Sequence, residues 1–519
     1  MSQTEPFCPQ PQTEPAFNRC TAVRAGLSET GLFASARHRV TNDIVPSTHT
    51  ATSWRISPSP LILSQEQLTF FTQLGPQLLS FYRALNRLYH ESVKGAQPTW
   101  VASWLDQGKP DALVNYSRMK RFRDSVPHVI RPDVIPTQDG MVITELDSVP
   151  GGIGLTAAMS RLYADLPAQH STPSPLRAPR GLIDAGPLSE ASTEPRYDLV
   201  GGRDGMVRGF GSMLRSVQKD LTGCVAIVVS EEAKDYRLEM TWLAAQLREQ
   251  GSPVWCVEPR AIRFTEDGLR LSVNNSEHTI GLIYRFYELF DLLNIPKAEL
   301  VQYAVKKEWV AVTPPYKPAL EEKSAFALLH HPVLSPFWRK ELGPDCFLHL
   351  TTIMPKTWLL DPSPIPPTAT IPGLYAGERA VANWSGLETA TQKERHFVIK
   401  PSGFSELAWG SRGVSIGHDL PQAEWVGALR NALASFPTTP YLLQEFHKGR
   451  LFEMDYLDEG TNRLTHMAGR ARLSPYYFVT GEKVELAGIL ATICPADKKI
   501  LHGMKDAIMV PCAVDRSSA

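Results

Sequence analysis

Seven cysteines are scattered through 519 residues, and no two stand in a C-x-x-C spacing. That scatter and the odd total exclude a full disulfide framework and a cysteine zinc site, so reduced thiols are expected. Charge of one sign is also missing. Lys and Arg number 53 against 54 Asp and Glu, a net charge of -1. Without a basic excess, no nucleic-acid partner is expected. No apolar run reaches the roughly 20 residues that span a bilayer, so no membrane partner is expected either. Residues 1–15 are acidic and Pro-rich without an apolar stretch, so the reading is of a cytoplasmic chain with no signal peptide. Internal repeats, coiled-coil heptads and the G-x-x-x-x-G-K-[ST] phosphate loop are all absent. What remains is an ordinary globular composition, 43% hydrophobic and 21% charged, long enough for two to four domain-sized units. Oligomeric state is not legible in it.

The most informative stretch runs from Ile130 to Thr156. Arg131 and Asp133 stand two apart, and so do Glu145 and Asp147. In a strand, side chains at i and i+2 share a face. Between the pairs, Thr137-Gln138-Asp139-Gly140 is a turn signal between apolar runs, which predicts a hairpin. Folded so, three carboxylates and one guanidinium converge on one patch. Such a patch suits Mg2+, a hard cation that takes carboxylate oxygens and leaves room for phosphate. Alternating charges on a hairpin also describe a solvated face. Against that, the neighbours Val142, Ile143, Leu146 and Val149 are apolar, and Pro150-Gly151-Gly152-Ile153-Gly154 follows, a turn where backbone can approach a ligand.

Residues 1–52 are rich in Thr, Ser, Pro and Gln without periodicity and read as disordered or loosely attached. Leu68, Phe71, Leu74, Leu78, Phe81, Leu85 and Leu88 recur at helical spacing within 61–93. A short helix is expected over 156–166, then an exposed Pro/Ser-rich insertion over 167–203. From 204 a helix, the strand 224–229, a helix and the strand 254–257 make a βαβ pattern with parallel strands. Asp267-Gly268 marks a hairpin within 262–273, and the strand 280–287 carries Arg285. A second Pro-rich stretch lies at 361–373. The remainder is α+β, with strands at 397–400, 441–445, 464–472 and 484–493 and a helix over 423–436.

Phe397-Val398-Ile399-Lys400-Pro401 is a strand ending in lysine, and Gly403, Gly410 and Gly413 follow. A lysine leaving a strand before a Gly-rich loop can hold phosphate oxygens while backbone N–H groups close over them. Further on, an apolar strand ends in Gln444-Glu445, which can present backbone to an adenine edge. Each of these alone also fits an ordinary turn or edge strand.

The combination of strand-lysine, Gly-rich loop, helix and strand-Gln-Glu resembles the ATP-grasp superfamily. In most of that superfamily the metal carboxylates come after these elements. Here no good pair follows Glu445, whereas a very good one precedes everything. That order resembles the circularly permuted ATP-grasp group typified by glutathionylspermidine synthase. The R-x-D, then E-x-N/D pattern is similar to that family's metal and phosphate set and falls on Arg131, Asp133, Glu145 and Asp147, with Asp147 where the family usually has Asn. Pro314-Pro315-Tyr316 followed by Glu322-Lys323-Ser324-Ala325 resembles the segment that brings a second ATP lysine, here Lys323. The unit at 204–300 is similar to the family's pre-ATP-grasp domain. One departure stands out. The family often has a late arginine after a G-I-x-I strand, and here Ala491 and Thr492 stand there instead; Arg470 and Arg472, one strand earlier, are the candidates to replace it.

The resemblance implies an α+β and α/β fold: a circularly permuted ATP-grasp core over 53–166 and 301–515 with a small open-sheet domain over 204–300. It implies ATP held by Lys323, Lys400, Gly403, Gly410, Gln444 and Glu445. It implies Mg2+ held by Asp133, Glu145 and Asp147, with Arg131, Arg285, Arg470 and Arg472 on the reacting groups. The activity implied is an amide-forming ligase that joins a small or peptide-like acid to an amine through an acyl phosphate. A catalytically degenerate ATP-binding protein and a small-molecule kinase stay open beside it.

Overall fold

The computed structural model describes residues 14–33, 54–147, 149–166, 197–219, 221–273, 275–366, 369–408, 410, 412–501 and 506–516. The insertion expected at 167–203 lies outside them except for its last residues. There Tyr197–Leu199 forms a short strand.

Three sheets carry the molecule. The largest orders Leu61–Leu63, Ile508–Asp515, Lys483–Pro495, Arg463–Thr480, Val129–Pro136 and Met141–Asp147, with Leu451–Asp458 and Tyr197–Leu199 added at its sides. The hairpin of 129–147 therefore completes a sheet whose other long strands come from the C-terminal part of the chain. Pairing of Ile130 with Tyr477 and Val134 with Leu473 fixes that junction.

Helix Gln65–Val93 lies against this sheet and buries Phe71, Leu74, Leu78, Phe81, Leu85 and Leu88, the stripe expected from the spacing. The sequence pattern starts it too early. Leu61–Leu63 is a strand paired parallel to Ile508–Asp515. Ser64 then caps the helix, its hydroxyl accepting from Gln67 N at 3.2 Å while Gln67 Oε1 accepts from Ser64 N at 3.0 Å.

The second sheet has a parallel centre. Cys224–Val229 pairs parallel with Val254–Val257 on one side and Ser276–Phe286 on the other. Gly268–Val273 and Ile262–Thr265 extend it antiparallel. Ala311–Thr313 joins it alongside Ser276–Phe286, so the sheet draws on chain beyond residue 300. The third sheet orders Thr357–Leu359, Tyr441–Glu445, Phe397–Pro401 and Ser415–Ile416. Helix Gln422–Ala434 covers it, and Trp425, Leu429, Phe397, Ile399 and Leu443 form a separate core.

The N-terminal expectation needs correcting. Within 1–52, Glu14–Glu29 is a helix that buries Cys20, Val23 and Leu27. Arg19 ties it down, with Nε donating to Pro58 O at 2.8 Å and Nη2 to Tyr197 Oη at 3.0 Å. This helix has almost no continuous apolar stripe in sequence, which is why periodicity did not reveal it. Among the described residues no helix is long and apolar enough to cross a membrane.

Candidate functional site

The hairpin turn closes with Thr137 N donating to Gly140 O at 2.7 Å. Its register sets Arg131 opposite Asp147 and Asp133 opposite Glu145, with a bulge just after Asp133. The four charged side chains do gather, and the structure divides them into two groups.

Asp133 lies inward. Its side chain is buried, and Oδ1 accepts from Ser474 Oγ at 3.0 Å while Oδ2 accepts from Arg472 Nη1 at 3.1 Å. Arg131 Nη2 stands 3.3 Å from Asp133 and 3.0 Å from Asp147, bridging them. Burial works against the charged form of Asp133, but the guanidinium of Arg131, then Arg472 and the Ser474 hydroxyl, hold the carboxyl below its usual value. Asp133 was expected as a metal ligand. Here each of its oxygens accepts from a protein donor, and its carboxylate pairs with two arginines.

Glu145 and Asp147 face a small open cleft, lined also by Glu288, Phe290, Glu321, Lys323, Gly403 and Ala408. Burial raises the Asp147 carboxyl, and Glu145 adds to that against the pull of Arg131. Asp147 also accepts from Val149 N at 2.9 Å. Lys323 Nζ sits 2.8 Å from Glu145 and donates to Ala408 O at 2.9 Å, so one ammonium holds both the hairpin and the Gly-rich loop.

A second, smaller cavity adjoins the first. Glu145, Lys323, Lys400 and Gln444 line it together with Thr144, Leu146, Glu322 and Phe326. Lys400 is the last lysine of its strand and points inward. Its Nζ donates to Thr144 O and to Gln444 Oε1, both at 2.8 Å. Burial lowers its pKa to about 8, with Glu145 acting in the other direction. Gln444 in turn donates from Nε2 to Thr357 Oγ1 at 3.0 Å. Four strands apart in sequence thus meet on one polar chain.

The loop over the cleft starts at Gly403, and only glycine fits there: a Cβ would come within 1.9 Å of Glu321 O. Gly410 follows at φ +63, a left-handed conformation that disfavours side chains.

The other expected residues fall elsewhere. Glu445 lines neither cavity; its backbone N–H donates to Lys356 O at 2.9 Å and its carboxylate is half-exposed. Arg285 is fully buried beneath the cleft. It donates to Pro314 O and Pro315 O and pairs with Glu321. It therefore positions the wall and does not face the opening. Arg470 is removed from the site, because its Nε donates to Gly449 O and its Nη1 to Ala496 O. Of the two arginines on that strand face, Arg472 is the one at the hairpin.

The glycine turn after the hairpin also differs from expectation. Gly152 has φ +86, and a Cβ there would meet Tyr476 Oη at 2.4 Å. The ligand-like group at this turn is a protein carboxylate. Glu239 accepts from Gly152 N at 2.7 Å and Leu155 N at 2.9 Å, capping helix Ile153–Ala164. Burial lifts its pKa to about 7. Nothing in the sequence pointed to Glu239, since it comes from a helix some 85 positions downstream. Glu288 and Glu321 were missed for the same reason.

The donor set bears on what the cleft can hold. Among the described residues no three His, Cys, Asp or Glu side chains stand ready as a metal cage. Glu145 and Asp147 both line the cleft, however, and one or two carboxylates are what Mg2+ takes when phosphate completes its shell. Lys323 and Lys400 supply cations for phosphate oxygens beside them. These residues would fit a Mg2+–nucleotide, with Glu145 and Asp147 on the cleft and Asp133 buried behind them.

No protein-family model matches the chain, and no curated protein matches it. Among solved structures it is similar to a glutathione synthetase-like effector from Globodera pallida in its apo form. The TM-score is 0.54 at 12% identity, over 96% of both chains. A putative gamma-glutamylcysteine synthetase from Methylobacillus flagellatus aligns over 86% of this chain and 89% of its own at 11% identity, with a TM-score of 0.38. The chain accordingly has the mixed α+β fold of a glutathione synthetase-like protein along nearly its whole length.

Proposed function

We propose that the protein is an ATP-dependent carboxylate–amine ligase of the circularly permuted ATP-grasp type, acting on a small or peptide-like acid. One observation carries the reading: Glu145, Lys323, Lys400 and Gln444, from four separate segments, line a single cavity that opens beside Asp147. The permuted order finds support in the early hairpin, which completes a sheet of late strands.

In this reading Lys323 and Lys400 take the phosphate oxygens of ATP. Lys400 has a pKa of about 8, so it is mostly charged at neutral pH, and a phosphate beside it would hold the proton more firmly. Glu145 and Asp147 would hold Mg2+, which when bound neutralises phosphate charge. The acid's carboxylate attacks the γ-phosphate, giving an acyl phosphate and ADP. The amine then attacks the acyl carbon, loses a proton, and phosphate leaves. Positioning and electrostatics carry such a reaction, so no protein nucleophile is required. The loop from Gly403 keeps water from the acyl phosphate. A cytoplasmic setting suits the need for ATP.

ATP binding without turnover is the second reading, and a specific observation favours it. Arg470 gives Nε and Nη1 to backbone carbonyls and Arg472 gives Nη1 to Asp133, which leaves only the other nitrogens of Arg472 to meet a transferring phosphate in this arrangement. A kinase would share the nucleotide site and differ in its phosphorylated product.

Calorimetric titration of ATP with Mg2+ into the parent protein and into Glu145→Ala/Asp147→Ala tests the site. Mg2+-dependent binding by the parent alone supports it, and a screen of acids with amines for ADP release then separates ligase from binder. Absence of binding in both proteins removes the nucleotide reading.

A further inference from the structure

Directly behind the two lysines lies a buried ionic cluster that the proposed reaction does not use. Lys109 Nζ sits 2.5 Å from Glu322 Oε1, and the two side chains are 1% and 2% exposed. Ser402 Oγ donates to the other oxygen of Glu322. The Lys109 ammonium also stands 5.6 Å from the centre of the Phe404 ring.

The positions of these residues in the chain give the cluster its meaning. Glu322 immediately precedes Lys323. Ser402 follows Lys400 by two residues, and Gly403, which abuts Glu321 O, comes next. Lys109 arrives from the helical part, where Gly108 at φ +75 packs so closely that a Cβ would lie 2.2 Å from Thr438 O. Ser402 N donates to Pro440 O at 2.8 Å in the same neighbourhood. The cluster thus joins the segment of Lys323, the segment of Lys400 and the helical part at one buried point.

Stability alone does not account for it. A buried ion pair is often no better than well-packed apolar residues of like volume, because desolvation offsets the attraction. What such a cluster supplies is directional, since a carboxylate bonded by the Ser402 hydroxyl at one oxygen and facing the Lys109 ammonium at the other has little freedom to turn. We infer that Lys109, Glu322 and Ser402 are positioning residues that set the spacing of Lys323 and Lys400 and so the affinity for a nucleotide triphosphate. The inference rests on the proposed reading for the identity of the ligand, though not for the clamp itself.

Two measurements keep these apart. The first is the rate at which acetic anhydride modifies Lys323 and Lys400, followed by mass spectrometry of the folded protein. The second is calorimetric ATP affinity with Mg2+. The variants are Lys109→Met/Glu322→Leu, which replaces the pair by apolar side chains, Ser402→Ala, and Lys109→Arg as the conservative control. The expected result is a melting temperature near the parent's, at least fivefold faster modification of Lys323 or Lys400 in the double variant, and tenfold weaker ATP binding. Ser402→Ala should move both readouts the same way by less, and Lys109→Arg should restore the parent's protection. If the double variant does not fold, Ser402→Ala decides. Parent-like modification rates in a folded double variant, or in Ser402→Ala when it must decide, overturn the clamp. Faster modification in a protein whose parent binds no ATP keeps the clamp and rejects the nucleotide reading.

Discussion

The ammonium of Lys400 sits 2.8 Å from Gln444 Oε1, two residues on adjacent antiparallel strands, each buried. Their strands place Lys400 opposite Leu442 and Gln444 opposite Val398, so the pair meets diagonally across one face. A lysine held this way has lost most of its water and, among the described residues, has no carboxylate in salt-bridge contact. On the proposed reading it is the cation that an incoming phosphate would meet.

Lys400→Met follows from this. Removing a buried charge whose pKa has fallen to about 8 relieves a desolvation cost, so the fold should be as stable as the parent or slightly more so at neutral pH. A charge-assisted hydrogen bond to phosphate contributes about 1.5–3 kcal/mol, so ATP binding should weaken by roughly 10- to 100-fold. Thermal melting together with calorimetry checks both, and parent-like ATP affinity would remove Lys400 from the site.

Glu239 gives the fold a pH dependence with a definite sign. Its folded pKa is raised to about 7 from an ordinary 4.5. Between those values the folded state keeps a proton that the unfolded chain has lost, so stability falls as pH rises through this window. Glu239→Gln removes that contribution. Urea unfolding at pH 4.5 and at pH 8 should show the variant gaining on the parent by on the order of 2–3 kcal/mol across the range. A difference between the two proteins that does not change with pH would show that Glu239 is charged in the fold throughout.

Asp133→Asn tests whether Asp133 anchors the two arginines or holds metal. The aspartate holds Arg131 and Arg472, and loss of its charge leaves two guanidinium groups underpaired in a buried place. Removing one partner of a buried pair costs about 3–5 kcal/mol. Because the folded pKa lies below the usual value, this stabilisation is complete above the unfolded pKa and is lost as pH falls through the folded one. Denaturant midpoints at neutral pH should drop sharply, and the gap to the parent should narrow in strong acid. A variant with parent-like stability that loses only Mg2+ dependence would return Asp133 to the metal.

Gly403→Ala addresses the loop. A Cβ 1.9 Å from Glu321 O forces the backbone to move, at a cost of about 1–3 kcal/mol. The loop should then part from Lys323, whose ammonium now holds Ala408 O. Limited proteolysis should cut within 403–413 faster than in the parent. Unchanged cleavage would mean that the loop is held by contacts other than these.

Arg470→Ala and Arg472→Ala separate two arginines that share a strand face. The first removes bonds to Gly449 O and Ala496 O and should lower stability by about 1–3 kcal/mol with ATP affinity intact. The second touches Asp133 and should also weaken ATP binding. Equal effects of both on ATP affinity would place Arg470 in the site after all.

The sequence by itself determined the local geometry. Period-two spacing put Arg131 with Asp133 and Glu145 with Asp147 on common faces, and the turn at 137–140 folded the two strands together. Runs of β-branched residues marked Cys224–Val229 and Val254–Val257, and the helix between them made these strands parallel. Lysine at the end of Phe397–Pro401 and glycine three positions later were readable as a phosphate-facing pattern. These features depend on neighbours within a few residues, and backbone geometry fixes them before any long-range contact forms.

Only the tertiary structure decided which charges meet. Arg472 reaches Asp133 across more than 300 residues, Glu239 reaches back to cap the turn at Gly152, and Lys109 finds Glu322. An ion pair needs two atoms within about 4 Å, and no periodicity encodes that across distant segments. Helix Glu14–Glu29 escaped for a related reason, since its burial comes from the surface it docks on and hardly from a stripe of its own. Sheet registry and close packing chose among several chemically equivalent partners, and that choice set two arginines on Asp133.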